Sequence, residues 1–168
     1  MGVLTDDMQR LVREQRLGFV ATVCPDGTPN LSPKGTTTVW DDDHLIFADI
    51  CSPGTVANLD RNPAVEVNVV DPIRRRGYRF KGCATIVEGG PLFERAMAFY
   101  RDTYGLSEAL AGRVGRIVLI EVHHAAPVVS PVYDTGASED EVVRRYAQYY
   151  DDVRKRRQPE PAGLTPPQ

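Results

Sequence analysis

Cysteine is nearly missing from these 168 residues: Cys24, Cys51 and Cys83 stand far apart, and none forms a CxxC pair. An odd, scattered set excludes a disulfide framework and a cysteine zinc cluster, suits a reducing compartment, and reads as three buried thiols. Histidine is as scarce. His123 and His124 are adjacent, so on a strand they face opposite ways and cannot share a metal; with only His44 besides, no metal site is expected. No apolar run approaches a membrane span, and the first fifteen residues carry Asp6 and Asp7 rather than a signal-peptide core, so the chain is expected in the cytoplasm and off the membrane. A net charge of −3 and a pI near 5.6 supply no general attraction for nucleic acid or an anionic bilayer. There is also no internal repeat and no legible Ser/His/Asp arrangement.

What is present reads mainly as strands. Gly18 to Cys24 has β-branched and aromatic content, Pro25-Asp26-Gly27-Thr28 is a turn by its chemistry, and Pro29 to Thr38 completes a hairpin. Further strands are expected at Thr36 to Trp40, His44 to Ala48, Ala64 to Val70, Tyr78 to Val87 and Arg116 to Val122. Helices are expected after Thr5, at Val56 to Asn62 before Pro63, and from Leu92 to near Gly105. Ser138-Glu139-Asp140-Glu141 matches a capping box and opens a last helix over about 138–157. Tight turns join most strands, without regular strand–helix alternation. The fold class is therefore mainly β with α additions, an antiparallel barrel with helices at its ends. One domain is expected over residues 1–157, with a disordered Pro-rich tail at 158–168.

Lysine is the scarce cation, three against seventeen arginines, and one of the three sits in Ser32-Pro33-Lys34-Gly35-Thr36. Short hydroxyls, a flexible backbone and a positive charge at a strand end are what a phosphate requires, although an exposed lysine is the ordinary case. Ser52-Pro53-Gly54-Thr55 offers a second half, because the first amides of a helix lack helical partners and attract an anion; Ser52 capping its own helix is the commoner arrangement. Trp40 reads as a packing residue or as a ring to stack on a ligand. The Arg74-Arg75-Arg76 run reads as a solvated loop or as a clamp for a phosphate.

The run Gly18 to Gly35, then Leu45-Ile46-Phe47-Ala48-Asp49, then Ala57 to Val70, resembles the pyridoxamine 5'-phosphate oxidase-like, FMN-binding split-barrel family, and Arg79 to Ala84 looks like its next strand. The resemblance spans most of residues 5 to 123 in element order. It implies a split β-barrel that homodimerises, with FMN at the dimer interface. Carried over by position, Ser32, Lys34, Gly35 and Thr36 fall on the first phosphate-facing segment, and Ser52, Thr55 and Asn58 on the second. Many members have a basic residue where Thr55 stands, so here the phosphate falls to Lys34, with Arg79, Lys81 or the Arg74 to Arg76 loop as further cations. The implied activity is an FMN-dependent oxidoreductase, with hydride arriving at flavin N5 from a small-molecule substrate and NAD(P)H a candidate reductant; no side chain is named as catalytic acid or base. No pyridoxamine-phosphate substrate site is recognisable, so the vitamin B6 oxidase itself is not expected. The alternatives are a non-catalytic flavin carrier, a heme-binding module using His123 or His124, and a reductase using the deazaflavin F420.

Overall fold

The computed structural model describes residues 2–156. The chain divides into two compact units, Met1–Val70 with Gly77–Val128, and Asp71–Arg76 with the chain from Val129 onward. Residues 157–168, including the expected tail, lie outside the described residues.

In the first unit, helix α1 (Asp6–Gln15) starts at Thr5, whose hydroxyl accepts from the Met8 amide, and carries Asp6 and Asp7 where the helix dipole favours them. The strands are β1 (Gly18–Val23), β2 (Pro29–Lys34), β3 (Thr38–Val39) and β4 (His44–Asp49), followed by helix α2 (Pro53–Arg61). Next come β5 (Ala64–Asp71), β6 (Arg76–Val87), helices α3 (Gly90–Asp102) and α4 (Glu108–Ala111), and β7 (Arg116–Val129). Seven strands form one sheet in the order β2-β1-β5-β6-β7-β4-β3, and the β1–β2, β1–β5, β3–β4 and β4–β7 pairings are antiparallel. This is a mainly antiparallel half-barrel with helices, as a split barrel requires.

Alternation explains which face turns inward. Val20 on β1, Val65, Val67 and Val69 on β5, and Phe80 on β6 enter one core, joined by Leu11 and Val12 of α1 and Leu59 of α2. Strand β4 breaks the alternation because both of its faces are covered. Leu45 and Phe47 point into that core, while Ile46 and Ala48 meet Ala96, Met97 and Tyr100 of α3 in a second cluster. Close approach requires glycine at several positions, Gly82 and Gly18 among them. A Cβ at Gly82 would sit 1.9 Å from the Glu121 carbonyl oxygen, and one at Gly18 would sit 2.6 Å from the Thr37 hydroxyl.

Several expectations shift at element ends. The strand expected at Thr36 to Trp40 shrinks to Thr38–Val39, because the Thr36 hydroxyl bonds the Ala48 backbone instead. Helix α2 begins earlier than expected, at Pro53, where a missing N–H costs a helix nothing. The strand expected at Arg116 to Val122 runs on as β7 to Val129, and Pro131–Thr135 form a 3₁₀ turn. The short helix α4 was not anticipated; four residues offer too little periodicity to read. Cys51 and Cys83 are exposed rather than buried, and all three thiols are free.

In the second unit, helix α5 (Glu139–Arg156) opens on the expected capping box: the Ser138 amide and hydroxyl both donate to the Glu141 carboxylate. The arginine turn is committed to this helix. Arg74 pairs with Asp71 and Glu139, Arg76 with Glu139, and the Arg75 guanidinium lies 4.7 Å from the Tyr146 ring centre. The three arginines therefore act within this unit rather than as a phosphate clamp.

Candidate functional site

Strand β2 ends at Lys34, and the chain turns sharply toward β3 through Gly35. Ser32 and Lys34 share a strand face, two residues apart, and the Lys34 ammonium donates to the Ser32 hydroxyl at 2.5 Å. Lys34 is only 7% exposed, and its nitrogen lies 5.9 Å from the centre of the Phe47 ring. Burial pushes its pKa below the ordinary lysine value, while the Asp49 carboxylate pulls it back upward. Among the described residues that serine is the ammonium's one hydrogen-bond partner, whereas an ammonium carries three donors. A desolvated, under-coordinated cation is a receptor for an anion.

The cation faces a hollow of about 380 Å³. Ser32, Lys34, Gly35 and Thr36 form one wall, and Cys51 and Ser52, at the approach to α2, form another. Ser52 does not cap its helix, as the commoner arrangement would have it. Its hydroxyl donates to Asp49, and no side-chain cap bond is made. Pro53 has no N–H, so the first α2 amides are those of Gly54 and Thr55, and no side chain caps them. Leu106, Leu110 and Tyr104 supply the third wall, and the Tyr104 hydroxyl donates to the Gly35 carbonyl at 2.5 Å.

The other expected residues take different roles or lie elsewhere. Thr55 and Asn58 are buried on α2, and the Asn58 amide donates to the Thr22 hydroxyl and the Cys24 sulfur. Arg79 and Lys81 point outward from β6, with Lys81 3.5 Å from Glu66. Thr36 lines the hollow, but its hydroxyl both donates to and accepts from the Ala48 backbone. Trp40 packs edge-on against Phe99 at 6.0 Å between ring centres. His123 is exposed beside Glu121 at 3.6 Å, and His124 is exposed.

Sequence reasoning missed Tyr104, Leu106 and Leu110. Tyr104 and Leu106 come from the irregular segment between α3 and α4, and Leu110 from the four-residue α4 itself, where no periodicity marks a side chain as facing a site. Gly105, whose φ of 78° suits glycine, was the one signal there that the backbone reverses.

The hollow suits a phosphate monoester: one buried cation and the Ser32 and Ser52 hydroxyls on two walls, apolar Leu106 and Leu110 on the third. A family model described as pyridoxamine 5'-phosphate oxidase matches residues 4–126. Among solved structures, HupZ of Group A Streptococcus is 31% identical, with a TM-score of 0.65 over 75% of this chain and 94% of that one. An F420 reductase is 26% identical, with a TM-score of 0.56 over 73% of this chain and 98% of that one. An FMN-binding protein from Syntrophomonas wolfei shares the fold at 16% identity, with a TM-score of 0.59 over 74% of this chain and 88% of that one. No curated protein matches. The family match stops before the 3₁₀ turn and α5.

Proposed function

Because the chain belongs to the pyridoxamine 5'-phosphate oxidase-like family of FMN-binding split barrels, we propose that it binds FMN and works in the cytoplasm as an FMN-dependent oxidoreductase on a small molecule. The observation that carries this reading is Lys34, a buried ammonium with spare donors on a hollow that Ser52, the residue before α2, also lines. In that role Lys34 and the α2 amides hold the phosphate, Ser32 fixes the ammonium, and Tyr104 fixes the Gly35 turn through its carbonyl. When bound, FMN supplies hydride acceptance at N5 and passage of the electrons to oxygen or another acceptor, with NAD(P)H a candidate reductant. Leu106 and Leu110 keep one side of the hollow dry.

The working unit in this reading is a homodimer. Phe19, Val23 and Leu31 lie 40%, 38% and 63% exposed on the outward face of β1 and β2, an apolar surface that a second copy would cover. Lys81, with Ala21, Val23 and Glu66, lines a hollow of about 410 Å³ on that outward face, so pairing through it brings β6 cations into the interface.

Titration of the purified chain with FMN is the test, read by flavin fluorescence and by melting temperature. Binding with a two-banded flavin spectrum is expected. A Soret band on the purified chain, or a melting temperature that FMN leaves unmoved, would overturn the reading. The 26% identical F420 reductase favours one second reading, F420 as the cofactor. A chain that F420 stabilises and FMN does not would establish it.

A further inference from the structure

Tyr104 is a wall between two hollows. Behind it, away from Lys34, a smaller depression of about 220 Å³ is lined by Arg13, Arg16, Thr38, Phe99, Thr103 and Tyr104. We propose that this depression is a second oxyanion site, taking the phosphate or carboxylate of a ring-bearing small molecule.

Charge is the first argument. Elsewhere on α1, Arg10 is paired with both Asp7 and Glu14. Arg13 and Arg16, three residues apart and so on neighbouring positions of the helix surface, have no carboxylate partner among the described residues. Arg13 donates to the neutral Gln9 amide oxygen, and Arg16 donates to the Tyr104 carbonyl. Two like charges side by side repel, and a basic helix end relieves only part of that. An oxyanion between them removes the repulsion and takes the remaining N–H groups in the forked geometry that guanidinium presents.

Backbone conformation is the second. Arg16 caps α1 in the left-handed region, at φ 52° and ψ 27°, where glycine or asparagine would sit without strain. A side chain held at such a position points to a role that the cap alone does not explain. Its guanidinium lies 3.8 Å from the centre of the Tyr104 ring, which covers one face of the cation, and Arg16 itself lines the depression. Phe99 and Tyr104, with ring centres 6.5 Å apart, offer the aromatic surface against which a ligand ring packs. Thr103 adds an exposed hydroxyl at the rim.

The site is distinct from the Lys34 hollow, so it stands or falls separately from the flavin reading. Phenyl phosphate, benzoate and neutral benzyl alcohol are titrated calorimetrically into the full chain and into its Arg13→Ala, Arg13→Gln and Lys34→Ala variants. Phenyl phosphate or benzoate is expected to bind and benzyl alcohol not, and the tighter of the two anions names the group recognised. Both Arg13 variants should weaken one class of binding site about ten-fold or more, the value of one charge-assisted contact, with Lys34→Ala leaving that class unchanged; phenyl phosphate held in the Lys34 hollow would show as a second class that Lys34→Ala removes and the Arg13 variants keep. Arg13 is exposed, so its replacement does not threaten the fold. Three results would each overturn the proposal: no binding of either anion, equal binding of benzyl alcohol, or all binding lost in Lys34→Ala and kept in Arg13→Ala.

Discussion

Replacing Lys34 by methionine separates what the residue does for a ligand from what it does for the fold. In the free chain the ammonium is buried to 7% exposure, and burial is the dominant influence on its pKa. Its protonated form is therefore held at a cost, offset partly by Ser32 and Asp49. Methionine fills similar space without a charge, so the free chain should melt at the same temperature or slightly higher. FMN affinity should behave oppositely. Losing one charge-assisted hydrogen bond to a phosphate removes about 1.5–3 kcal/mol, or roughly ten- to hundred-and-fifty-fold in Kd. Fluorescence titration gives the affinity, and thermal melting without ligand gives the stability. The pH profile carries the same logic with a defined sign. Binding needs the ammonium, and burial has lowered its pKa below 10.5, so affinity should fall as pH rises through that depressed value, with proton uptake on binding in the same range. Affinity should also rise with pH through about 6, as a phosphate monoester becomes a dianion. An unchanged Kd would show the phosphate is misplaced. A collapse of the melting temperature along with the affinity would show that Lys34 is structural.

Gly82→Ala should destabilise by at least about 1–3 kcal/mol, because its Cβ would meet a backbone carbonyl 1.9 Å away that no rotamer change can relieve; a lower urea midpoint at constant m is the readout. Leu31→Arg should leave the fold intact and dissociate the proposed homodimer, since Leu31 is 63% exposed on the outward face; sedimentation velocity of wild type and variant at matched concentration decides. Ser138→Ala should cost about 1 kcal/mol locally, seen as faster amide exchange in the first turn of α5 with the β-sheet amides unaffected.

How much of this was legible in the sequence depended on whether the signal was local. The valine alternation of β5, the Thr5 cap and the Ser138 capping box are local, and each appears where its residues predict. Lys34 stood out by contrast with a chain that otherwise uses arginine, and it lies at the hollow with Ser32, Gly35, Thr36 and Ser52. Spacing could not show that Thr36 spends its hydroxyl on β4, or that Asn58 turns inward to Thr22, because both partners are distant in sequence. The triple arginine was misleading for the same reason. Its counter-charge, Glu139, lies more than sixty residues away.

That turn also has a consequence for anyone who shortens the chain. The family match ends at residue 126, which makes the segment from Val129 onward an inviting place to truncate. Doing so would strip Arg76 of Glu139, Arg75 of Tyr146, and Arg74 of one of its two carboxylates. Arg75 and Arg76 would then lose their partners beside an Arg74 still paired with Asp71, at a hairpin tip in a protein whose intact charge is −3. Such a fragment should adhere to phosphate-rich polymers more tightly than the intact chain, with a steeper salt dependence, so a nucleic-acid affinity measured on it alone would overstate the protein's own.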